Sequence, residues 1–174
     1  MGITLTQLFG DLEGTCARLE REMFGVRVDR ARLQASGCAV LDLTFDPPPE
    51  FAAEGYVAES ARITARPDGQ IHTFPLGARD RKWKHRNPSP LGPIFGELAG
   101  DLCLWYPRDP RGLRWEWEDG LEEYVTRVHR HLFFEEYWRR NDEWPVEDAP
   151  HGEPPAGAHP VLTRQMRKAA KQWA

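Results

Sequence analysis

Cysteine is scarce in this sequence, and long apolar runs are missing from it. The three cysteines, Cys16, Cys38 and Cys103, lie far apart and include no Cys-x-x-Cys pair. An odd number of widely spaced thiols favours neither a disulfide framework nor a zinc ribbon, and it indicates a reducing compartment. No run approaches the ~18 apolar residues of a membrane helix, and no basic segment precedes an apolar stretch near the first residue. We therefore expect a cytoplasmic protein with no membrane partner.

A nucleotide-binding glycine-rich loop is also missing, and the net charge is small. Basic residues number 23 and acidic residues 27, which gives a net charge of -4. This balance provides no overall attraction to nucleic acid, so we expect no nucleic-acid partner. Without a phosphate-binding loop the chain cannot adenylate a carboxylate by itself. We expect neither a cofactor nor a bound metal.

The sequence does contain enough apolar material for one core. Hydrophobic residues make up 40% and charged residues 29% of the 174 residues, which is typical of a folded globular protein. Five of the seven tryptophans crowd the stretch 105–144, so we expect the core to be centred there. Composition predicts one folded domain over 1–146, a Pro/Gly-rich linker over 147–160 and a basic amphipathic helix over 161–174.

Hydrophobic periodicity predicts a helix followed by a four-stranded antiparallel meander. Apolar residues at helical spacing predict the helix over 5–24, with Thr4 and Gln7 in a capping box. Stretches that alternate apolar and polar residues between turn signals predict the strands. These strands cover 26–34, 37–45, 56–66 and 70–76. Cys38 has the parity opposite to the apolar residues of its strand, so we expect it to be half exposed.

The second half combines a long irregular connection with the strongest helical pattern. The connection, 76–93, contains a basic cluster threaded with Trp83 and His85, and irregular loops of this length tend to be functional. The helix is predicted over 120–140, with Glu136 and other charged residues on its solvent face. A helix, a meander and further helices in this order indicate an α+β fold.

Cys103 is the residue at which we expect chemistry. It lies in a short apolar run with Gly100-Asp101 before it and Pro107 after it. These turn signals place the thiol near a strand end or in a loop, where a side chain can reach solvent and be activated by its neighbours. A cysteine between two leucines is otherwise an inert core residue. The exposure of the thiol therefore decides between the two interpretations.

Three short motifs lie between the start of the last predicted strand and the end of the apolar run. They are Phe74-Pro75, His85-Arg86-Asn87 and Asp101-Leu102-Cys103-Leu104. With the order of elements, they resemble the Tyr-Pro dipeptide, the His-Pro-Asn tripeptide and the active-site strand of ubiquitin-conjugating enzymes. The resemblance covers roughly residues 1–145. It implies a UBC-like α+β fold in which the N-terminal helix, the meander, a long active-site loop with the cysteine and the C-terminal helices follow one another. It also implies catalytic roles for Cys103, His85 and Asn87.

A second set of motifs begins at Leu102 and continues beyond Cys103. It comprises Leu102-Cys103-Leu104-Trp105-Tyr106-Pro107, Arg114-Trp115, His131-Leu132, Glu136-Tyr137-Trp138-Arg139, Glu143-Trp144-Pro145 and Pro150-His151-Gly152. These motifs are similar to those of stand-alone prokaryotic ubiquitin-conjugating-like proteins of short type II CBASS anti-phage operons, encoded beside a cGAS/DncV-like nucleotidyltransferase. The resemblance implies a cysteine acyltransferase. It would carry the C-terminus of the nucleotidyltransferase as a thioester on Cys103, transfer it to an amine and so prime cyclic-nucleotide synthesis.

Other functions stay open at the level of sequence. With a buried Cys103 the chain would be a non-catalytic UBC-like or RWD-like binding module. A cysteine hydrolase would pair Cys103 with His85 or His131. The cluster 79–86 with Trp83 has the residue types that stack on and neutralise single-stranded nucleic acid, although the acidic net charge argues against that function. A metal bound by Cys103 and His85 would lack further ligands.

Overall fold

The computed structural model describes residues 2–77, 81–87, 100–105, 110–111 and 114–146. The helices are α1 (Leu5–Gly10), α2 (Leu12–Glu22), α3 (Pro49–Ala53) and α4 (Leu121–Asn141), and the strands are β1 (Val26–Leu33), β2 (Ala39–Phe45), β3 (Glu59–Ala65), β4 (Ile71–Leu76), β5 (Arg86–Asn87) and β6 (Asp101–Leu102). The expected α+β order of an N-terminal helix, a four-stranded antiparallel sheet and a C-terminal helix is confirmed. The predicted linker 147–160 and helix 161–174 lie outside the described residues.

The helix predicted over 5–24 is two helices separated at Asp11. The capping box is confirmed, since the Thr4 side chain accepts from the Gln7 N–H and the Gln7 side chain accepts from the Thr4 N–H. Asp11 leaves the helical conformation with φ -149° and ψ 78°, and its carboxylate accepts from the Gly14 N–H at 2.8 Å. A short acidic side chain favours this N-cap position, so it ends α1 and begins α2.

The main sheet has the strand order β1-β2-β3-β4, with every neighbouring pair antiparallel. On one face of β2, Leu41 and Leu43 lie opposite Ile63 and Ala61 of β3, and all four are almost fully buried. The expectation of a half-exposed Cys38 is wrong, because its side chain is buried as well. The next residue of the same parity, Val40, is fully buried, so the second face of β2 is also covered at this end.

The long helix α4 closes the core with an apolar stripe along one side. Its buried apolar residues are Leu121, Tyr124, Val125, Val128 and Leu132. The N-terminal segment is tied to the start of this helix, since the Leu121 N–H donates to the Ile3 carbonyl at 2.9 Å. Glu136 does not lie on the solvent face as the sequence predicts, because Arg139 and Arg140 pair with it in a buried position. Within the part of the chain that the structure describes, no helix has the length and apolar character needed to cross a membrane.

Candidate active site around Cys103

Cys103 lies immediately after β6, at the strand end that the turn signals predict. Its side chain is half-buried, and none of the three cysteines forms a disulfide. The Cys103 N–H donates to the His85 carbonyl at 3.2 Å, and its Sγ lies 3.7 Å from the Trp105 carbonyl oxygen. The thiol is therefore neither sealed in the core nor fully exposed.

The three expected site residues lie on one small antiparallel hairpin. Arg86 of β5 pairs with Leu102 of β6, and Asn87 pairs with Asp101. The hydrogen bond between the Cys103 N–H and the His85 carbonyl extends this pairing by one residue. The pairing thus sets His85 opposite Cys103, which follows it by eighteen residues in the sequence, and Asn87 opposite Asp101.

Asp101 anchors this hairpin to the main sheet. Its carboxylate accepts from the Thr73 N–H at 2.8 Å and contacts His72 Nδ1 at 2.5 Å. The preceding residue, Gly100, has φ +86°, and a Cβ at that position would lie 2.3 Å from the Asn87 carbonyl oxygen. Only glycine combines this left-handed conformation with such a close approach of two backbones. Both features hold β6 between β4 and β5.

Glu135 of α4 anchors the residues that precede β5. Its fully buried carboxylate accepts from the Lys84 N–H at 2.7 Å and from the His85 N–H at 2.6 Å, with His131 Nε2 at 3.5 Å. Burial alone would raise the pKa of the Glu135 carboxyl, but the hydrogen bonds from His131 and from the two backbone N–H groups outweigh it and lower that pKa. The ionised carboxylate therefore fixes the backbone that carries His85.

The side chains of His85 and Asn87 have different surroundings. The His85 imidazole is buried, with its ring centroid 4.2 Å from that of Trp144 and 6.2 Å from that of His131. This packing suits support of the hairpin rather than proton exchange with solvent. Asn87 is exposed, so its amide can meet an incoming group. Burial lowers the pKa of the half-buried Arg86 between them, although a guanidinium keeps its charge at neutral pH.

The described part of the basic cluster is bound into the fold. Arg81 pairs with Glu59 at 2.6 Å and with Glu136 at 3.2 Å, and Arg139 also pairs with Glu59. The Trp83 ring lies under the Arg139 guanidinium, 4.9 Å from its centre. These residues connect the segment before β5 to β3 and α4. The same contacts occupy Arg81 and Trp83, which weakens the nucleic-acid alternative.

No protein-family model matches the chain, and neither does any curated protein or solved structure. Any function assigned to the chain therefore depends on its own residues and on the motifs they form. Among the described residues, no group of three or more His, Cys, Asp or Glu side chains is placed to hold a metal ion.

The sequence prediction missed two carboxylates that position the hairpin. Asp101 belongs to the motif around the cysteine, but its contacts with β4 depend on a sheet edge that no local pattern specifies. The position of Glu135 could have indicated a buried carboxylate, because it lies three residues after Leu132 on the apolar stripe of α4. A carboxylate at such a position requires buried hydrogen-bond donors, and here two backbone N–H groups supply them.

Proposed function

We propose that the chain is a ubiquitin-conjugating-like transferase. Cys103 takes the C-terminal carboxyl of a cGAS-like nucleotidyltransferase as a thioester and passes it to an amine, which regulates anti-phage cyclic-nucleotide signalling. The observation that carries the proposal is the pairing of β5 with β6, in which His85 lies opposite the half-buried Cys103 and Asn87 lies two residues farther along the neighbouring strand. The resemblance of the motifs around Cys103 supports the choice of partner.

The chemistry needs one nucleophile and one donor to a developing oxyanion. The Cys103 thiolate attacks an activated carbonyl carbon, the S–C bond forms, and the activating group leaves with its electron pair. An amine then attacks the thioester through a tetrahedral oxyanion, the C–S bond breaks and an amide forms. The exposed Asn87 amide is the candidate donor to that oxyanion. His85 acts as a positioning residue through its backbone carbonyl, which holds Cys103.

Activation of the carboxyl group belongs to a separate step. The chain has no glycine-rich nucleotide loop that would support adenylation. An acyl group that arrives already activated reaches the thiol by exchange alone, without ATP. This separation permits a test that supplies the activated carboxyl chemically.

The test uses a synthetic peptide with the C-terminal sequence of the nucleotidyltransferase, prepared as a thioester. Incubation with the protein should give an adduct that intact-mass measurement detects and that thiol reductants remove. Cys103→Ala should abolish the adduct, whereas Cys16→Ala, which removes the half-buried thiol of α2, should retain it. An adduct that persists in Cys103→Ala, or no adduct in the wild type, would contradict the proposal.

The second candidate is a non-catalytic binding module. Partial burial of Cys103 and the packing of His85 on Trp144 are also features of a purely structural hairpin. Alkylation of the folded protein with iodoacetamide separates the two functions. A carrier thiol should be alkylated under native conditions, and a structural thiol only after denaturation.

A further inference from the structure

A groove of about 510 Å³ lies where the turn between β3 and β4 meets the 3₁₀ turn Trp117–Asp119. Three indoles, those of Trp105, Trp115 and Trp117, form much of its wall. The Trp117 Nε1–H donates to the Gly69 carbonyl at 2.8 Å, which ties the two turns together. The Trp115 Nε1–H donates to the Gly120 carbonyl at 2.8 Å. The wall is therefore preformed rather than assembled by a ligand.

The rim of this groove is acidic. Asp68, Glu116 and Glu118 line it, and Asp119 follows directly. Arg66 lies 3.4 Å from Asp68 and Arg111 lies 2.8 Å from Glu116, so part of this charge is compensated. Glu118 and Asp119 are exposed. Indole side chains together with exposed carboxylates suit a peptide that combines cations with apolar side chains, because cations are attracted both to aromatic rings and to acids.

Segment 161–174 of this chain combines cations with apolar side chains in this way. It contains four cations, Arg164, Arg167, Lys168 and Lys171, and no aspartate or glutamate. Leu162, Met166 and Trp173 provide its large apolar side chains at spacings that a helix would bring to one side. Its positive charge is thus complementary to the rim of the groove.

The segment is also long enough to reach the groove. The groove lies at the beginning of α4, and the described chain ends at Val146, just beyond the other end of that helix. The 21 residues of α4 span about 31 Å at ~1.5 Å each. The connecting residues 147–160 span up to about 43 Å at the ~3.1 Å per residue of an extended proline-rich chain. The tether would keep the segment at an effective concentration on the order of millimolar.

We propose that residues 161–174 dock in this groove of the same molecule. Their cations face Glu118 and Asp119, and their apolar side chains contact the indoles. The inference does not depend on the reactivity of Cys103.

Zero-length carbodiimide cross-linking of the full chain tests this docking, because it joins amines to carboxylates in direct contact. Two of the four lysines, Lys168 and Lys171, lie in the segment. Docking predicts that they link to Glu118 and Asp119 in preference to Glu50 of α3 and Glu54 at its C-cap, both of which are also exposed. Links spread evenly over these four carboxylates would overturn the inference. In an equimolar mixture of ¹⁴N and ¹⁵N protein, docking within one molecule predicts links between residues of like label only, and a share of unlike links near one half would overturn it.

A charge reversal that leaves both lysines in place provides the matched comparison. Arg164→Glu with Arg167→Glu should lower the yield of the Glu118 links roughly tenfold, which corresponds to the loss of two exposed ion pairs and the gain of two repulsions. Arg21→Glu, an exposed charge on α2, should leave the yield unchanged. The signal of the Trp117 Nε1–H in ¹H–¹⁵N spectra should shift in the first variant and not in the second. An unshifted signal together with unchanged links would overturn the inference.

Discussion

Three single residues position Cys103 through contacts with the backbone of neighbouring segments. Gly100 permits the close approach of β6 to β5, and Asp101 and Glu135 each receive backbone N–H groups from neighbouring segments. The sequence shows the cysteine and its two expected partners, because those residue types form a recognisable motif. It does not show which groups donate to the carboxylates of Asp101 and Glu135, because these hydrogen-bond donors lie 28 to 51 residues away in the chain.

Substitution of Gly100 should lower the stability of the fold because of the backbone conformation that this position requires. Gly100→Ala must adopt φ +86° with its Cβ 2.3 Å from the Asn87 carbonyl oxygen, so the hairpin has to move. We expect a loss of about 1–3 kcal/mol in the free energy of unfolding, measured by urea denaturation. Gly10→Ala is the matched control, since its Cβ would meet nothing within 4 Å at the end of α1. Equal stabilities of the two variants would show that the backbones of Gly100 and Asn87 do not approach each other closely.

The buried carboxylate of Glu135 should make the free energy of unfolding depend on pH in the acid range. The folded-state pKa of this carboxyl lies below its ordinary value of 4.5. Its ionised form therefore stabilises the fold above about pH 4.5, and this contribution is lost as the pH falls through the folded-state pKa. Glu135→Gln should lower the free energy of unfolding at pH 7 by about 1–3 kcal/mol. The difference from the wild type should shrink in acid.

Glu123→Gln is the control for this pH dependence. Glu123 lies on the same helix and pairs with Arg127, but it is exposed to solvent. Its substitution should change the unfolding free energy little at any pH. A difference between wild type and Glu135→Gln that stays constant from pH 3 to pH 7 would contradict the role given to the buried carboxylate.

Among the elements, the long periodic ones could be predicted and the short ones could not. The meander and α4 have enough residues for alternation or helical spacing to specify them, and their bounds differ from the predicted ones by a few residues. The break between α1 and α2 needs only one N-cap residue, Asp11, within an otherwise continuous apolar stripe. The two-residue strands β5 and β6 have no periodicity at all. They form because tertiary contacts bring them together.

The β5–β6 hairpin should open when its connection to β4 is removed. Asp101→Ala removes both of the carboxylate oxygens that contact Thr73 and His72. We expect amide exchange at Cys103, whose N–H bonds to His85, to accelerate roughly tenfold as the local opening free energy falls by about 1.4 kcal/mol. Amides in the centre of β2 and β3 should exchange at the wild-type rate. Unchanged protection at Cys103 would show that Asp101 is not the anchor.

At the scale of the whole molecule, the sheet and α4 form one core. The hairpin with Cys103 is connected to this core at two points. Asp101 connects it to β4, and Glu135 connects it to α4. The order of the long elements could be predicted because it follows from their hydrophobic pattern. The proposed partner, a cGAS-like nucleotidyltransferase, could not be derived in that way. It comes from the resemblance of the motifs, which neither a family model nor a known protein supports by a match.

The most direct measurement of the central claim is the mass of the protein after incubation with a cGAS-like nucleotidyltransferase that has been prepared as its C-terminal thioester. A Cys103→Lys variant replaces the thiol by an amine, so a transferred carboxyl end would remain as an amide that reductants do not cleave. We predict a single adduct equal to the sum of the two chains less one water, with the linkage at position 103. The Cys103→Ala variant should give only the two separate masses. Absence of the adduct from Cys103→Lys, with both proteins folded and present, would contradict the account.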